Sequence, residues 1–387
     1  MAATAIKASV LHGIRDLREE TRVIEPPGEG EVQLSIRSTG ICGSDQHYFN
    51  HFRNGDIHVR EPMSLGHESS GVVEAVGPGP NPRGLRPGDR VAVEVGVPCD
   101  GCARCAEGRY NICAGMRFRS SAKAFPHFQG TLQERVNHPA RWCHRLPDNV
   151  SLDEGALLEP LSVAIHAVRR VPGGGDGEGS VLRGKTALVL GAGAVGLLTA
   201  AVLRTARAGR IVVADIEAGR VAFAEEHGFA DAGVALPRKR PASDAAEDKL
   251  ALAQETASFL MERGNGAQQY DVVFECTGVE TCVQTGIYAA AAGGAVMLVG
   301  MGTPVQTLPV SAAALREVDL LGVFRYARTY EYGLRLLADR AACGMPDVSR
   351  LATHRFRGLG SAAEAFAAAG RPVDDEGNVV LKVIIES

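Results

Sequence analysis

The sequence predicts two kinds of domain in one chain: a β-rich half up to about Val150, and an α/β half with a parallel sheet from Thr186 to about Val323. Three observations carry that reading. Before Val150, apolar and polar positions alternate in short runs between Gly and Pro pairs, the pattern of half-buried strands joined by tight turns. Beyond Thr186 the apolar runs become short and continuous, as in strands buried on both faces. Those runs alternate with helical stretches, which implies parallel strands and right-handed crossovers.

Taken in order, the expected strands of the first half include Glu31–Ser38 (EVQLSIRS), Gly71–Val76 (GVVEAV) and Arg90–Val95 (RVAVEV), the last behind the turn Arg86-Pro87-Gly88-Asp89. From Leu152 to Val168 the chain is rich in Ala and Leu, and its apolar spacing predicts a helix. The second half supplies the strands Thr186–Leu190 (TALVL), Ile211–Ala214 (IVVA), Asp271–Phe274 (DVVF), Val296–Val299 (VMLV) and Leu320–Val323 (LLGV). After Phe324 there is room for helices and a last strand, Val379–Ile385 (VVLKVII), which the pattern alone assigns to neither half. Pro172–Ser180 and Leu236–Asp248 are polar and Gly- or Pro-containing, and are expected to be surface loops.

Charge narrows the function. Lys and Arg number 41 against 45 Asp and Glu, a net charge of −4 with no dense basic tract. Nucleic acid and anionic membrane surfaces are therefore not expected partners. No apolar run reaches the ~18 residues of a membrane span. The N-terminus lacks the charged-then-apolar layout of a secretory leader, so a cytoplasmic protein is expected.

A dinucleotide site is legible at the start of the second half. The strand Thr186–Leu190 runs into Gly191-Ala192-Gly193-Ala194-Val195-Gly196, which opens the helical stretch Leu197–Arg207. The first glycine permits a sharp turn, the second lets backbone amides approach a pyrophosphate, and the third lets helix and strand pack closely. The helix N-terminus adds free N–H groups and partial positive charge for phosphate. A second strand, Ile211–Ala214, ends at Asp215, whose carboxylate can accept both ribose hydroxyls and would repel a 2′-phosphate. NAD is expected over NADP, although Arg220, five residues on, could meet a phosphate.

The nine cysteines suggest metal rather than disulfides. Cys99, Cys102, Cys105 and Cys113 fall in one polar, Gly-containing loop with too few apolar residues to bury four free thiols. Four thiolates closing a tetrahedron make a structural zinc site. Cys143, Cys276, Cys282 and Cys343 read as buried small apolar residues, and Trp142 as a core or interface anchor. His138, His144, His166 and His354 carry no motif of their own.

A catalytic zinc needs fewer protein ligands and an open position. Candidates are Cys42 in Gly40-Ile41-Cys42-Gly43-Ser44-Asp45, the pair His67-Glu68, and Glu159 in Glu159-Pro160-Leu161-Ser162. Each also has a plain structural reading: a small residue between glycines, a surface pair, a charge early in a helix. Spacing cannot join residues so far apart.

Together these pieces resemble a known family. Gly66-His67-Glu68-x2-Gly71-x5-Gly77, followed by Gly88-Asp89-Arg90-Val91, is similar to the zinc signature of medium-chain alcohol dehydrogenases. The likeness covers nearly the whole chain in order, and its polyol branch (sorbitol, xylitol, fungal L-arabinitol or galactitol dehydrogenases) is the most similar. The branch-specific pieces are Ser44-Asp45-Gln46-His47-Tyr48, Glu159-Pro160-Leu161-Ser162-Val163 and Phe324-Arg325-Tyr326. Asn137 to His144 also resembles the fungal L-arabinitol enzymes.

The resemblance implies a GroES-like β-domain over residues 1–164, a doubly wound Rossmann domain over 165–323, and a C-terminal return to the first domain over 324–387. It implies that Cys42, His67 and Glu68 hold the catalytic zinc, with Glu159 binding it directly or through water. It sets Tyr48, Phe118, Arg325 and Tyr326 around the polyol. Val195, Thr277, Val299, Phe324 and Arg325 join the glycine turn, Asp215 and Arg220 around NAD. Ser44 and His47 are the nearest candidates for a proton relay, with Glu68 or Glu159 assisting, and a homotetramer is implied. Two departures stand out: the loops at Pro172–Ser180 and Leu236–Asp248 are longer than the branch pattern, and the four-cysteine lobe, absent from some sorbitol dehydrogenases, is kept here.

The expected activity is therefore zinc- and NAD-dependent oxidation of a secondary hydroxyl of a sugar alcohol to a ketose, and the reverse. The alternatives are the same architecture acting on threonine, glucose or a simple alcohol, and a zinc- and NAD-binding sensor without turnover. Asp215 argues against the NADP preference common among glucose enzymes. Simple-alcohol enzymes usually carry Cys as their third zinc ligand, where the Glu159 segment favours a carboxylate.

Overall fold

A computed structural model describes residues 2–174 and 180–387, so part of the Gly-rich loop expected at Pro172–Ser180 lies outside the described residues. By its internal contacts the chain divides into two units. The first holds the residues up to Ser162, with Ala327–Ala338 and Ser349–Ser387; the second holds Val163–Tyr326 and Asp339–Val348. The C-terminal return expected from residue 324 thus begins at Ala327 and is interrupted by a short stretch that groups with the second unit.

The first unit opens with a hairpin that the strand pattern did not single out, β1 (Thr4–Gly13) and β2 (Asp16–Ile24). Then follow β3 (Glu31–Gly40), α1 (Gly43–His51), β4 (Glu68–Val76), β5 (Arg90–Val93), β6 (Arg135–Pro139) and β7 (Cys143–Arg145). All but the hairpin strands join one sheet or, as α1 does, continue directly from it. Helix α2 (Leu152–Arg169) starts where a serine and a glutamate cap one another. The Glu154 carboxylate accepts the Ser151 N–H at 2.8 Å, and Ser151 Oγ accepts the Glu154 N–H at 3.2 Å. That reciprocal box satisfies two N–H groups the helix cannot satisfy internally. Pro160 lies inside α2 and removes one donor directly after Glu159.

In the second unit, β8 (Thr186–Leu190), α3 (Ala194–Thr205), β9 (Arg210–Asp215), α4 (Ala218–Glu226), β10 (Ala232–Ala235), α5 (Ala246–Gly264), β11 (Tyr270–Glu275), α6 (Glu280–Ala289), β12 (Ala290–Leu298) and β13 (Asp319–Gly322) alternate along the chain. The strands form one parallel sheet in the order β10-β9-β8-β11-β12-β13. Counted from β8 this is 3-2-1-4-5-6, the doubly wound order that places a dinucleotide at the carboxyl ends of the central strands. Leu188, Leu190, Val212, Val273, Ile287 and Val296 form its core, which explains the continuous apolar runs. The loop expected at Leu236–Asp248 is shorter than predicted. Helix α5 begins at Ala246, with Glu247 and Asp248 in its first turn, where negative charge suits the positive end of the helix.

The tail carries α7 (Tyr330–Ala338), β14 (Ala352–Arg357), α8 (Ala362–Ala369) and β15 (Lys382–Glu386). Strand β15 pairs parallel to β14 and antiparallel to β3, and so enters the seven-stranded sheet of the first unit. The sheet order is β7-β5-β4-β3-β15-β14, with β6 also paired to β3. Val383 and Ile385 pack with Leu11, Ile41, Phe49, Leu65 and Phe366 in that unit's core. The apolar tail, ambiguous in sequence, is an inner strand there. Among the described residues no helix is long and apolar enough to cross a membrane.

Candidate active site and metal centres

Strand pairing unites the candidate ligands that spacing could not. Strand β3 ends at Gly40, and two residues later Cys42 leads into α1; β4 begins at Glu68, directly after His67. Gly40 is the register partner of Glu68, so the two segments meet at one end of the sheet. The ligand atoms of Cys42, His67 and Glu68 lie within 4.8 Å of one another. His67 and Glu68 are buried and Cys42 half-buried.

Asp45, in the first turn of α1, organises this group. Its Oδ1 is 3.2 Å from His67 Nδ1 and accepts the Ser120 hydroxyl at 2.5 Å, while Oδ2 accepts the Cys42 N–H at 3.4 Å. A carboxylate on Nδ1 orients the ring and leaves Nε2 as the nitrogen that could face a metal. Burial tends to raise the Asp45 pKa, but the charge and hydrogen bond of His67 and the Ser120 bond outweigh it and hold Asp45 low. Burial lowers His67, yet the charges of Asp45 and Cys42 leave it well above the ordinary imidazole value.

The other expected site residues separate. Ser44 Oγ donates to Cys42 Sγ at 3.4 Å. His47 is exposed on α1, and desolvation of part of its ring together with nearby His51 lowers its pKa. Phe118 is buried with its ring 5.5 Å from that of His67. Tyr48 lies in the apolar core with Phe49 and Ala122, and its hydroxyl accepts the Ala122 N–H at 3.2 Å. Glu159 is buried on α2 but does not join the three converging groups. Arg325 and Tyr326 belong to the second unit, Arg325 half-buried with its guanidinium 4.9 Å from the Phe324 ring and Tyr326 buried.

Two partners of the group were missed in the sequence. Asp45 was read only as part of a motif. Lys382 is buried at the start of β15, with Nζ 2.7 Å from both Glu68 oxygens and 3.0 Å from the Ile41 carbonyl. Burial pulls its pKa down, but the charges of Glu68 and Cys42, with a smaller contribution from Glu159, leave it raised. A lone lysine inside VVLKVII was the available signal, since a buried lysine implies a partner.

The four-cysteine lobe forms a second group, with all four sulfurs within 4.8 Å of one another. Cys102 and Cys105 are 3.5 Å apart and Cys99 and Cys113 3.4 Å apart, too far for disulfides. Four sulfurs at about 2.3 Å from a zinc ion stand about 3.8 Å apart, close to that spacing. Of the other cysteines Cys143 is buried, whereas Cys276, Cys282 and Cys343 are half-buried and so less enclosed than expected. Trp142 is half-buried and packs 5.1 Å from the Tyr110 ring.

In the second unit the glycine turn has the form its sequence suggests. Gly191 adopts φ +101°, a region that favours glycine. Gly193 caps α3 without any side-chain hydrogen bond, and a Cβ there would meet no protein atom within 4 Å. That open approach to uncapped N–H groups is a cradle for a pyrophosphate. Asp215 ends β9 with its Oδ2 accepting the Ala192 N–H at 2.6 Å and its Oδ1 the Glu217 N–H at 2.9 Å. Arg220 is half-buried on α4. After β11, Thr277 and Gly278 donate backbone N–H groups to the Glu275 carboxylate, and Val299 donates its N–H to the Glu275 carbonyl at 2.9 Å.

Residues 28–148 match the alcohol dehydrogenase GroES-like domain, and residues 194–339 match the zinc-binding dehydrogenase domain. Human sorbitol dehydrogenase is 42% identical over 92% of this chain and 90% of its own. The chain belongs to the zinc-dependent medium-chain alcohol dehydrogenases, in their polyol branch. Among solved structures, L-idonate 5-dehydrogenase of Escherichia coli superposes with a TM-score of 0.79 at 27% identity, covering 100% of this chain and 99% of that one. A zinc-binding dehydrogenase of Sinorhizobium meliloti bound to NADP gives 0.80 at 26% identity, covering 99% and 100%. As a polyol dehydrogenase of this family the chain is an enzyme that uses zinc and NAD(H). Its donors suit them: soft thiolate with imidazole and carboxylate for a zinc with room for substrate, four thiolates for a closed one, and an open glycine cradle for the dinucleotide.

Proposed function

We propose that the protein oxidises a secondary hydroxyl of a sugar alcohol to the ketose with NAD, and runs the reverse, at a zinc held by Cys42, His67 and Glu68. The observation that carries this is the convergence of those three groups, with Asp45 locking the imidazole. When bound, zinc supplies a Lewis acid for the hydroxyl oxygen and NAD accepts the hydride. The chain's own residues do the rest. Cys42 and Glu68 bring negative charge, and Asp45 holds His67 in one tautomer. Ser44, beside Cys42 Sγ, receives the hydroxyl proton, and exposed His47 passes it to water. Glu159 serves from α2 as an outer carboxylate. Phe118, packed by the His67 ring, provides an apolar wall; Tyr48, Arg325 and Tyr326 are assigned to the polyol. Cys99, Cys102, Cys105 and Cys113 hold a structural zinc.

For the cofactor, Gly191, Gly193, Val195 and Gly196 cradle the pyrophosphate and Asp215 accepts the ribose hydroxyls, favouring NAD. Arg220, Thr277, Val299, Phe324 and Arg325 complete the cofactor contacts. A homotetramer is supported by exposed apolar side chains of the second unit, Val305, Val310 and Leu315, which are 86%, 62% and 88% exposed. Large apolar side chains left this exposed are candidates for contact with another chain. Nine unpaired thiols support a reducing, cytoplasmic location.

The test is NADH absorbance with sorbitol, xylitol, L-arabinitol, galactitol and L-threonine, each with NAD and with NADP. Turnover of at least one polyol with NAD, and much less with NADP, is expected. Turnover confined to L-threonine, or none with any polyol, would overturn the substrate class.

A further inference from the structure

Lys382 is a cation buried among groups suited to hold a cation. It is the single charge in VVLKVII and is 4% exposed. Its three donors have three acceptors: both oxygens of Glu68 at 2.7 Å and the Ile41 carbonyl at 3.0 Å. The backbone register explains how it reaches them. Gly40 pairs with Glu68 on one side and with Ile384 on the other. Gly40 leaves open the space that its neighbours fill: a methyl group there would overlap the Glu68 carboxylate and come within 3.3 Å of Lys382 Cδ.

We propose that Lys382 is a positioning residue of the metal centre, a fixed counter-charge that holds Glu68 and limits how much of its negative charge reaches the metal. This rests on the assignment of zinc to Cys42, His67 and Glu68. Each carboxylate oxygen keeps a further lone pair while accepting from Lys382, so Glu68 can face both cations. A thiolate and a carboxylate offer two negative charges, and Lys382 offsets one. Without it the ligand set binds a dication more tightly and leaves it a weaker electrophile. Lys382 also compensates Glu68 when no metal is bound, because breaking one side of a buried pair leaves an uncompensated charge. Its removal should therefore move two properties in opposite directions, lowering metal-free stability and raising zinc affinity.

The test uses the full chain carrying Lys382→Met, Lys382→Arg, or Glu68→Gln with Lys382→Met. Zinc affinity is read by competition with a chelator, ligation by the visible spectrum of protein loaded with cobalt(II), and stability by urea unfolding without metal. Lys382→Met should unfold at lower urea, bind zinc about tenfold or more tightly, and shift the cobalt bands. Lys382→Arg should restore much of the metal-free stability. The double variant, with neither charge, should regain it even if Lys382→Met does not fold without metal. Zinc binding in Lys382→Met that is unchanged or weaker, with an unchanged cobalt spectrum, would overturn the proposal, as would a double variant no more stable than Lys382→Met. A Cys42→Ala protein with wild-type zinc content would instead overturn the ligand assignment.

Discussion

A buried carboxylate beside a metal-binding histidine restricts the ring more than it restricts the metal. Asp45 reaches His67, Ser120 and the Cys42 backbone at once, so Asp45→Asn should weaken zinc binding at this centre about 10–100-fold while the fold persists. Chelator competition reads this directly; an unchanged affinity would remove Asp45 from the centre. In the cofactor site, Asp215→Ser should raise the ratio of NADP to NAD turnover by removing the charge that repels a 2′-phosphate, which steady-state kinetics with both cofactors would measure. What could be read in sequence at this scale was whatever chemistry lay contiguous: the glycine turn, the cysteine spacing, the acid that ends β9. Lys382 was hidden because its partner Glu68 is 314 residues away. His138 and His144 carried no motif, yet both are buried on Glu94, at its backbone carbonyl and its carboxylate respectively. Tertiary pairing, not local spacing, gives such residues their role.

At the scale of elements, five of the six parallel strands of the second unit matched their apolar runs to within a residue or two at most ends, because burial on both faces leaves a continuous signal, whereas the edge strand β10, with only Val234 buried, left none. The hairpin β1–β2 was missed because β2 is mostly exposed or half-buried, so its pattern is weak. The turn after β11 yields a pH prediction. Burial raises the Glu275 pKa, and its bonds from Thr277 and Gly278 offset only part of this. A carboxyl raised above its unfolded value of about 4.3 contributes fully below that pH, and the contribution is lost as pH rises through the folded value. Relative to Glu275→Gln, the wild type should therefore lose urea stability across that window; parallel pH profiles would contradict it. The cysteine lobe gives a second. Its short helix, Ala103–Ala106, buries no residue, so under the proposed assignment a zinc ion would substitute for a core there. Cys105→Ser should release one zinc and expose the lobe to limited proteolysis.

For the whole molecule, two compact units carry two chemistries: the first the metal groups, the second the dinucleotide turn. The exposed Leu315 of the second unit makes self-association testable: Leu315→Glu should lower the native mass measured by light scattering, and an unchanged mass would separate this side chain from assembly. The most direct measurement is zinc content per chain together with NADH formation in Cys42→Ala. With two groups able to hold zinc among the described residues, the wild type should carry two ions and turn over a polyol. Cys42→Ala should keep one ion and make no NADH. A Cys42→Ala protein that carries only one ion and still oxidises the polyol at the wild-type rate would contradict the account.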